Sequence, residues 1–150
     1  MRARLSLLVL LGLAMAAPAA AQDRDYVNGR SASDADVPPF SGAVWVGPTL
    51  YLSGTLGLGP DRSVPETATE EAHNVLGNIK AVLEEAGLTM DDLVSVQIFS
   101  SDVSDYDAFN AVYRTYFTQT YPARAFIGAG TLLFGARFEV MGIATRVGSQ

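Results

Sequence analysis

The sequence contains no cysteine and only one histidine, His73. Without cysteine the chain can form no disulfide, no thiolate zinc site and no cysteine nucleophile. A Ser-His-Asp triad would have to be built on His73. This histidine shares a face of a predicted helix with Thr69, Gly77 and Lys80, away from the apolar stripe, so we expect it to be solvated. Thiol chemistry is therefore excluded and histidine chemistry is disfavoured.

Basic residues are also few. The chain has 10 lysines and arginines against 16 acidic residues, which gives a net charge of −6 at pH 7. An acidic surface repels phosphate backbones and anionic lipid headgroups. The balance disfavours nucleic-acid binding, although it leaves room for a local basic pocket.

The N-terminus has the three parts of a secretory signal peptide: Arg2 and Arg4, the apolar run Leu5–Ala16, and a small-residue cleavage site at Ala19–Ala21. We expect residues 1–21 to be removed after Ala21 and the protein to be periplasmic or secreted. An uncleaved membrane anchor is the alternative, which the shortness of the apolar run disfavours. Cleavage would change the net charge from −6 to −8. No other long apolar run follows, so we expect no membrane association afterwards.

Two segments follow the signal. Residues 22–37 are polar and acidic without an apolar period, and we predict a flexible leader there. Residues 38–150 suit one domain with one core.

Five strands and two helices are predicted in this domain. Thr67 and Glu70 form a capping box at the start of the first helix, whose apolar residues recur at three- and four-residue steps, and Gly87 marks its end. Ser104 is the predicted N-cap of the second helix, and Pro122 stops it. Strands are predicted near 44–46, 50–53, 94–98, 124–129 and 136–145.

The order ββαβαββ predicts an α+β fold with one mixed sheet and both helices on one face. Two helices cannot cover both faces of such a sheet. We therefore expect the chain to self-associate and to bury the other face between copies.

Two residues could carry chemistry. Arg124 follows Pro122 and Ala123 at the start of a strand, where its planar fork would match a carboxylate; the alternative is a surface arginine paired with an acidic residue. Glu139 interrupts the apolar strand residues 138–143 and could orient or deprotonate a water; the alternative is a solvent-facing strand position.

The acidic residues Asp102, Asp105 and Asp107 lack the glycine and distal glutamate of a calcium loop. They are interpreted as favourable charge at a helix N-terminus, so no metal site is predicted.

The chain resembles the RidA/YjgF family, the reactive imine and enamine deaminases, from about Pro39 to Arg146. The resemblance rests on matched segments that occur in order and at the right distances. They are Pro39–Ser41, Leu52–Gly54, Asn78–Gly87, Asp105–Tyr113 and the signature Pro122–Arg124, with Glu139 fifteen positions after Arg124.

This resemblance implies a chorismate-mutase-like fold, a homotrimer, and a site in each cleft between subunits. It implies that Arg124 holds the carboxylate of a small 2-imino acid. Glu139, with the backbone carbonyl of Phe126, would place a water against the imine carbon, and Gly54 and Asn110 would line the site. The product would be a 2-oxo acid, and neither metal nor organic cofactor is implied.

Three positions depart from the family pattern. Phe40 stands where many members have tyrosine, Thr55 stands where glutamine is common, and the loop Leu132–Gly135 is apolar instead of polar. These changes make the pocket more apolar.

Two functions of different classes follow from the sequence. The first is an enzyme, an imine deaminase that acts on small 2-imino acids. The second is a non-catalytic trimeric binder of a small organic acid, which would keep Arg124. Ribonuclease activity, credited to some members of the family, is disfavoured by the net charge.

Overall fold

The computed structural model describes residues 23–33 and 35–146, so the predicted signal peptide lies outside the described residues. Within these ranges, no helix is both long and apolar enough to cross a membrane. The main elements are β1 (Arg24–Val27), β2 (Ala43–Val46), β3 (Thr49–Leu56), α1 (Ala68–Glu85), β4 (Leu93–Ser100), α2 (Tyr106–Tyr113), β5 (Ala123–Gly128) and β6 (Phe138–Thr145).

The six strands form one mixed sheet in the order β1-β2-β3-β6-β4-β5. Every neighbouring pair is antiparallel except β4 and β5, which are parallel. Helix α1 packs on β3 and β6 and against α2. The predicted α+β class, with a mixed sheet and two helices on one face, is confirmed.

Strand β6 shows how the sheet divides the molecule. Phe138, Val140 and Ala144 are buried in the core beneath the helices. The residues between them point to the opposite face, because successive side chains of a strand alternate. On that open face Met141 stays 36% exposed, and Tyr51, whose registered partner is Ile143, stays 48% exposed. The predicted uncovered face is therefore present and partly apolar.

The capping box predicted for α1 is confirmed. The side chain of Thr67 accepts from the backbone N–H of Glu70, and the Glu70 carboxylate accepts from the backbone N–H of Thr67, each at 3.2 Å. Gly87 follows the C-cap with φ = 75°, a left-handed conformation that glycine adopts without steric cost.

The predicted flexible leader is wrong for residues 24–27, which form β1. This strand pairs antiparallel with β2, and Val27 is buried against the core. The other three residues of β1 are exposed. With a single buried side chain the segment shows no apolar period, and its main-chain bonds to the edge of the sheet are invisible in the sequence.

The predicted N-cap of the second helix is also wrong. The carboxylate of Asp102 accepts from the backbone N–H of Ser104 at 2.8 Å and caps a 3₁₀ turn, Val103–Asp105. Helix α2 begins only after that turn. Ser104 lies inside that turn, and the N-cap position of α2 is Asp105, whose side chain makes no capping hydrogen bond.

A buried carboxylate ties the start of β6 to α1. Glu71 is fully buried, and its Oε1 accepts from the backbone N–H of Arg137 at 2.6 Å and of Phe138 at 2.9 Å. Its Oε2 accepts from Arg137 Nη1 at 3.1 Å. The same guanidinium donates to the carbonyls of Pro65 and Glu66 just before α1. Glu71 therefore holds the strand that carries Glu139.

We expect Glu71→Ala to lower the free energy of unfolding by about 3–5 kcal/mol, because it leaves a partly buried cation and two backbone N–H groups without their acceptor. Urea denaturation measures this change. Glu84→Ala, which removes an exposed partner of Lys80 from the same helix, is the matched control and should have a far smaller effect. Equal losses for the two variants would contradict the role given to Glu71.

Candidate active site

Arg124 lies at the start of β5 on the helix-covered side of the sheet. Its Nη1 donates to Asn110 Oδ1 at 2.7 Å. Its guanidinium carbon lies 4.7 Å from the ring centroid of Tyr113 and 5.8 Å from that of Tyr106. One hydrogen bond and two aromatic rings from α2 thus fix the direction of the guanidinium.

The Arg124 guanidinium has donors to spare. It carries five N–H groups, and in the described part of the chain it forms no ion pair with a carboxylate. It borders a cavity of about 250 Å³ that Asn110, Tyr113 and Tyr121 also line. The alternative of a surface arginine paired with an acid does not hold here. A bound carboxylate would supply the missing partner.

Tyr113 is a further residue of this cavity, and the sequence did not predict it as a site residue. It is 4% exposed, and its hydroxyl has no hydrogen-bond partner among the described residues. Burial raises the pKa of Tyr113 to about 12, against the opposing effect of the Arg124 charge. The phenol is therefore a neutral donor at physiological pH. Its position three residues after Asn110 places both side chains on one helix face.

Glu139 lies in a different cavity, on the open face of the sheet. A Cβ atom added to Gly54 would lie 2.3 Å from Glu139 Oε1, so only glycine leaves room for this carboxylate. The cavity has a volume of about 550 Å³. Its apolar walls come from Pro38, Phe40, Leu56, Leu58, Leu133 and Phe134, and Ser53, Thr55 and Arg62 complete the lining.

The sheet register separates the two cavities. On β4, Val96 pairs with Arg124, and Phe99 pairs with Glu139. Registered residues on neighbouring strands share a face, and successive residues of one strand point to opposite faces, so positions three apart lie on opposite faces. Within one chain Arg124 and Glu139 therefore face opposite sides of the sheet.

The six predicted site residues fall into two groups. Arg124 and Asn110 are bonded to each other, and Phe126 follows on the same face of β5, where its ring packs against Phe109 and Phe138. Phe40, Gly54 and Glu139 line the other cavity.

His73, set aside in the sequence, is exposed on α1. Its backbone carbonyl accepts from Tyr116 Oη at 3.0 Å, and neither group faces the two cavities above. In the described ranges no three histidine, aspartate or glutamate side chains come close enough to hold a metal ion.

Comparison with protein families gives a match to the family described as endoribonuclease L-PSP, over residues 31–146 of this chain. A goat (Capra hircus) protein named 2-iminobutanoate/2-iminopropanoate deaminase is 38% identical over 114 residues, which are 75% of this chain and 83% of the goat protein.

Solved structures agree with this match. RidA from the Antarctic bacterium Psychrobacter is 35% identical, with a TM-score of 0.69 over 75% of this chain and 92% of RidA. TdcF of E. coli, solved with bound serine, is 25% identical, with a TM-score of 0.72 over 81% of this chain and 99% of TdcF.

Proposed function

This chain belongs to the endoribonuclease L-PSP family, also known as the RidA/YjgF family, and from that premise we propose that it hydrolyses 2-imino acids to 2-oxo acids and ammonia. The observation that carries the proposal is the Arg124 guanidinium, which is fixed by Asn110 and has no carboxylate partner in the described structure. The names of the curated relatives, deaminases of 2-imino acids, support the same reaction.

Arg124 is proposed to bind the substrate carboxylate through two parallel hydrogen bonds, the geometry in which guanidinium and carboxylate match best. Tyr113 lies beside the guanidinium as a neutral donor. TdcF, a family member of known structure, was solved with serine, a small molecule that carries a carboxylate. That precedent supports a carboxylate ligand in this family.

The complete site is proposed to lie between two copies of the chain in a homotrimer. Arg124 and Glu139 face opposite sides of the sheet, so one chain cannot place both against one small molecule. A second copy that packs on the open face would bring its Arg124 cavity to the first copy's Glu139. The partly exposed apolar side chains of that face favour such packing.

The reaction needs little beyond orientation. Glu139, together with the backbone carbonyl of Phe126, is proposed to hold a water against the imine carbon. As the water oxygen bonds to that carbon, a water proton passes to the Glu139 carboxylate and from there to the nitrogen. This addition turns the C=N double bond into a single bond and gives a carbinolamine. The proton of its new hydroxyl then passes to the nitrogen through the same carboxylate, the C–N bond breaks as the C=O bond forms, ammonia leaves and a 2-oxo acid remains. Positioning and proton transfer together can supply much of the acceleration.

We propose that the protein works outside the cytoplasm, on the basis of the signal-peptide pattern at residues 1–21. Cell fractionation and the N-terminal mass of the mature protein test this. A protein that retains Met1 in the cytoplasmic fraction would contradict it.

The direct test is ammonia and 2-oxo acid release by the purified protein from Gln22 onward. Imino acids are generated in situ by an amino-acid oxidase. Release well above the spontaneous rate supports the deaminase. Binding of 2-oxo acids without any release would instead support the non-catalytic binder.

Glu139→Gln is expected to slow kcat by about 10²- to 10⁴-fold, because the amide can no longer accept a proton from the water. Binding of a 2-oxo acid, measured by calorimetry, should be nearly unchanged, because Arg124 still holds the carboxylate. The matched control is Glu85→Gln at the end of α1, because Glu85 does not line the cavity that contains Glu139. Wild-type turnover in Glu139→Gln would remove Glu139 from the mechanism.

A further inference from the structure

We propose that the Glu139 cavity receives the substrate side chain and that it selects a large apolar one, of the size found in leucine or phenylalanine. The inference rests on the proposed function and defines its substrate class. In a single copy of the chain the cavity measures about 550 Å³, within the range typical of small-molecule sites. A substrate side chain of one or two carbons would leave most of the apolar wall of the cavity in contact with water. A larger substrate side chain therefore gains more free energy from burial.

The outer wall of the cavity is built from two loops that meet. One loop carries Arg62 and the other carries Phe134, and the Arg62 guanidinium carbon lies 4.6 Å from the centroid of the Phe134 ring. This contact holds the arginine against an aromatic face. The two loops therefore contact each other and together form one wall of the cavity.

Both residues of this contact have strained backbones. Arg62 has φ = 64° and Phe134 has φ = 59°, a left-handed conformation that is uncommon for residues other than glycine. Local main-chain bonds hold both loops, from Arg62 N–H to the carbonyl of Gly59 at 2.9 Å and from Ala136 N–H to that of Leu133 at 3.1 Å. Strain of this kind persists where the surroundings enforce it and is concentrated at ligand sites.

The same wall exposes side chains that folding gives no reason to expose. Leu133 is 68% exposed, Phe134 is 59% exposed and Phe40 is 56% exposed, although all three line one cavity. Clustered apolar exposure of this kind marks a binding surface, which the second copy on the open face and a ligand in the cavity can share. Burial of a ligand side chain here would remove these groups from water.

Polar side chains find few partners in the cavity. The hydroxyl of Ser53 already donates to the carbonyl of Ser41 at 2.7 Å, and the Arg62 guanidinium stacks on Phe134. An acidic side chain would also approach Glu139. Arg62 could instead bind a second carboxylate on the substrate side chain, so the experiment includes a substrate of that kind.

The experiment compares kcat/KM for imino acids generated from 2-aminobutyrate, leucine, phenylalanine and glutamate. Each methylene moved from water into an apolar pocket is worth about a fourfold gain. We expect the leucine- and phenylalanine-derived imino acids to exceed the 2-aminobutyrate-derived one by at least about tenfold. The glutamate-derived one should be the poorest. A preference for either the small or the acidic substrate would overturn the inference.

Phe134→Ala tests the wall itself. It should lower the ratio of kcat/KM between the phenylalanine- and 2-aminobutyrate-derived substrates by about tenfold. Tyr26→Ala is the matched control, since Tyr26 is a similarly exposed aromatic on β1, outside the cavity, and it should leave the ratio unchanged. An unchanged ratio in Phe134→Ala would overturn the inference, whether or not the variant still forms its oligomer.

A binding measurement separates this inference from the proposed function. Calorimetry with pyruvate, 4-methyl-2-oxopentanoate and phenylpyruvate requires no turnover. Tighter binding of the two larger acids, lost in Phe134→Ala, supports the pocket even if no imine is hydrolysed. Tighter binding of pyruvate would overturn the pocket even if hydrolysis is fast.

Discussion

Arg124→Ala is expected to reduce kcat/KM for imine hydrolysis by about 10³-fold or more and to abolish detectable binding of 2-oxo acids. The substrate carboxylate would lose both hydrogen bonds of the guanidinium fork and the positive charge of Arg124. The α2 side of the cavity would remain, since Asn110 and Tyr113 belong to the helix. We therefore expect the fold and the oligomer to survive. Calorimetry, steady-state kinetics and size-exclusion chromatography measure these three quantities.

Two further variants sharpen this test. Arg124→Lys keeps the charge but cannot form the planar double contact, so its kcat/KM should fall between those of the wild type and of Arg124→Ala. Arg24→Ala removes an exposed arginine from β1 and should behave like the wild type. Unchanged affinity for 2-oxo acids in Arg124→Ala would contradict both the deaminase and the binding-protein interpretations.

Helix α1 shows what the sequence predicts well. Its start is fixed by the local pair Thr67 and Glu70 and its end by Gly87, and its buried face follows from a long apolar period. All of this information lies within one segment. Strand β1 is the opposite case, because it is held by main-chain pairing with β2, and only Val27 records that pairing in the sequence.

The two cavities could be predicted only in part. On β6 the apolar neighbours Phe138 and Val140 already indicate that Glu139 faces away from the core. On β5 the residues around Arg124 give no such alternation, since Ala125 and Ile127 are as apolar as Phe126. The face of Arg124 is set by the contact with Asn110 on α2 and by the register with Val96. Neither can be derived from the spacing of fifteen positions between Arg124 and Glu139.

Because Arg124 and Glu139 lie on opposite faces of the sheet, we expect a second large effect, in which mixing two inactive variants restores catalytic activity. Arg124→Ala and Glu139→Gln should each be nearly inactive alone. Refolded together in equal amounts, they should recover about a quarter of wild-type activity. Each site between subunits draws Arg124 from one chain and Glu139 from the next. In a random mixture half of the sites receive an intact arginine, and half of those also receive an intact glutamate.

A mixture of wild type with the double variant Arg124→Ala/Glu139→Gln is the control, because it contains the same substitutions arranged differently. Sites shared between chains predict about a quarter of wild-type activity in both mixtures, because arginine and glutamate are drawn independently. Sites formed within one chain predict about half for the control and no recovery for the two single variants. The second pattern would show that Arg124 and Glu139 of one chain act together, and it would require a rearrangement of the sheet register that separates them here.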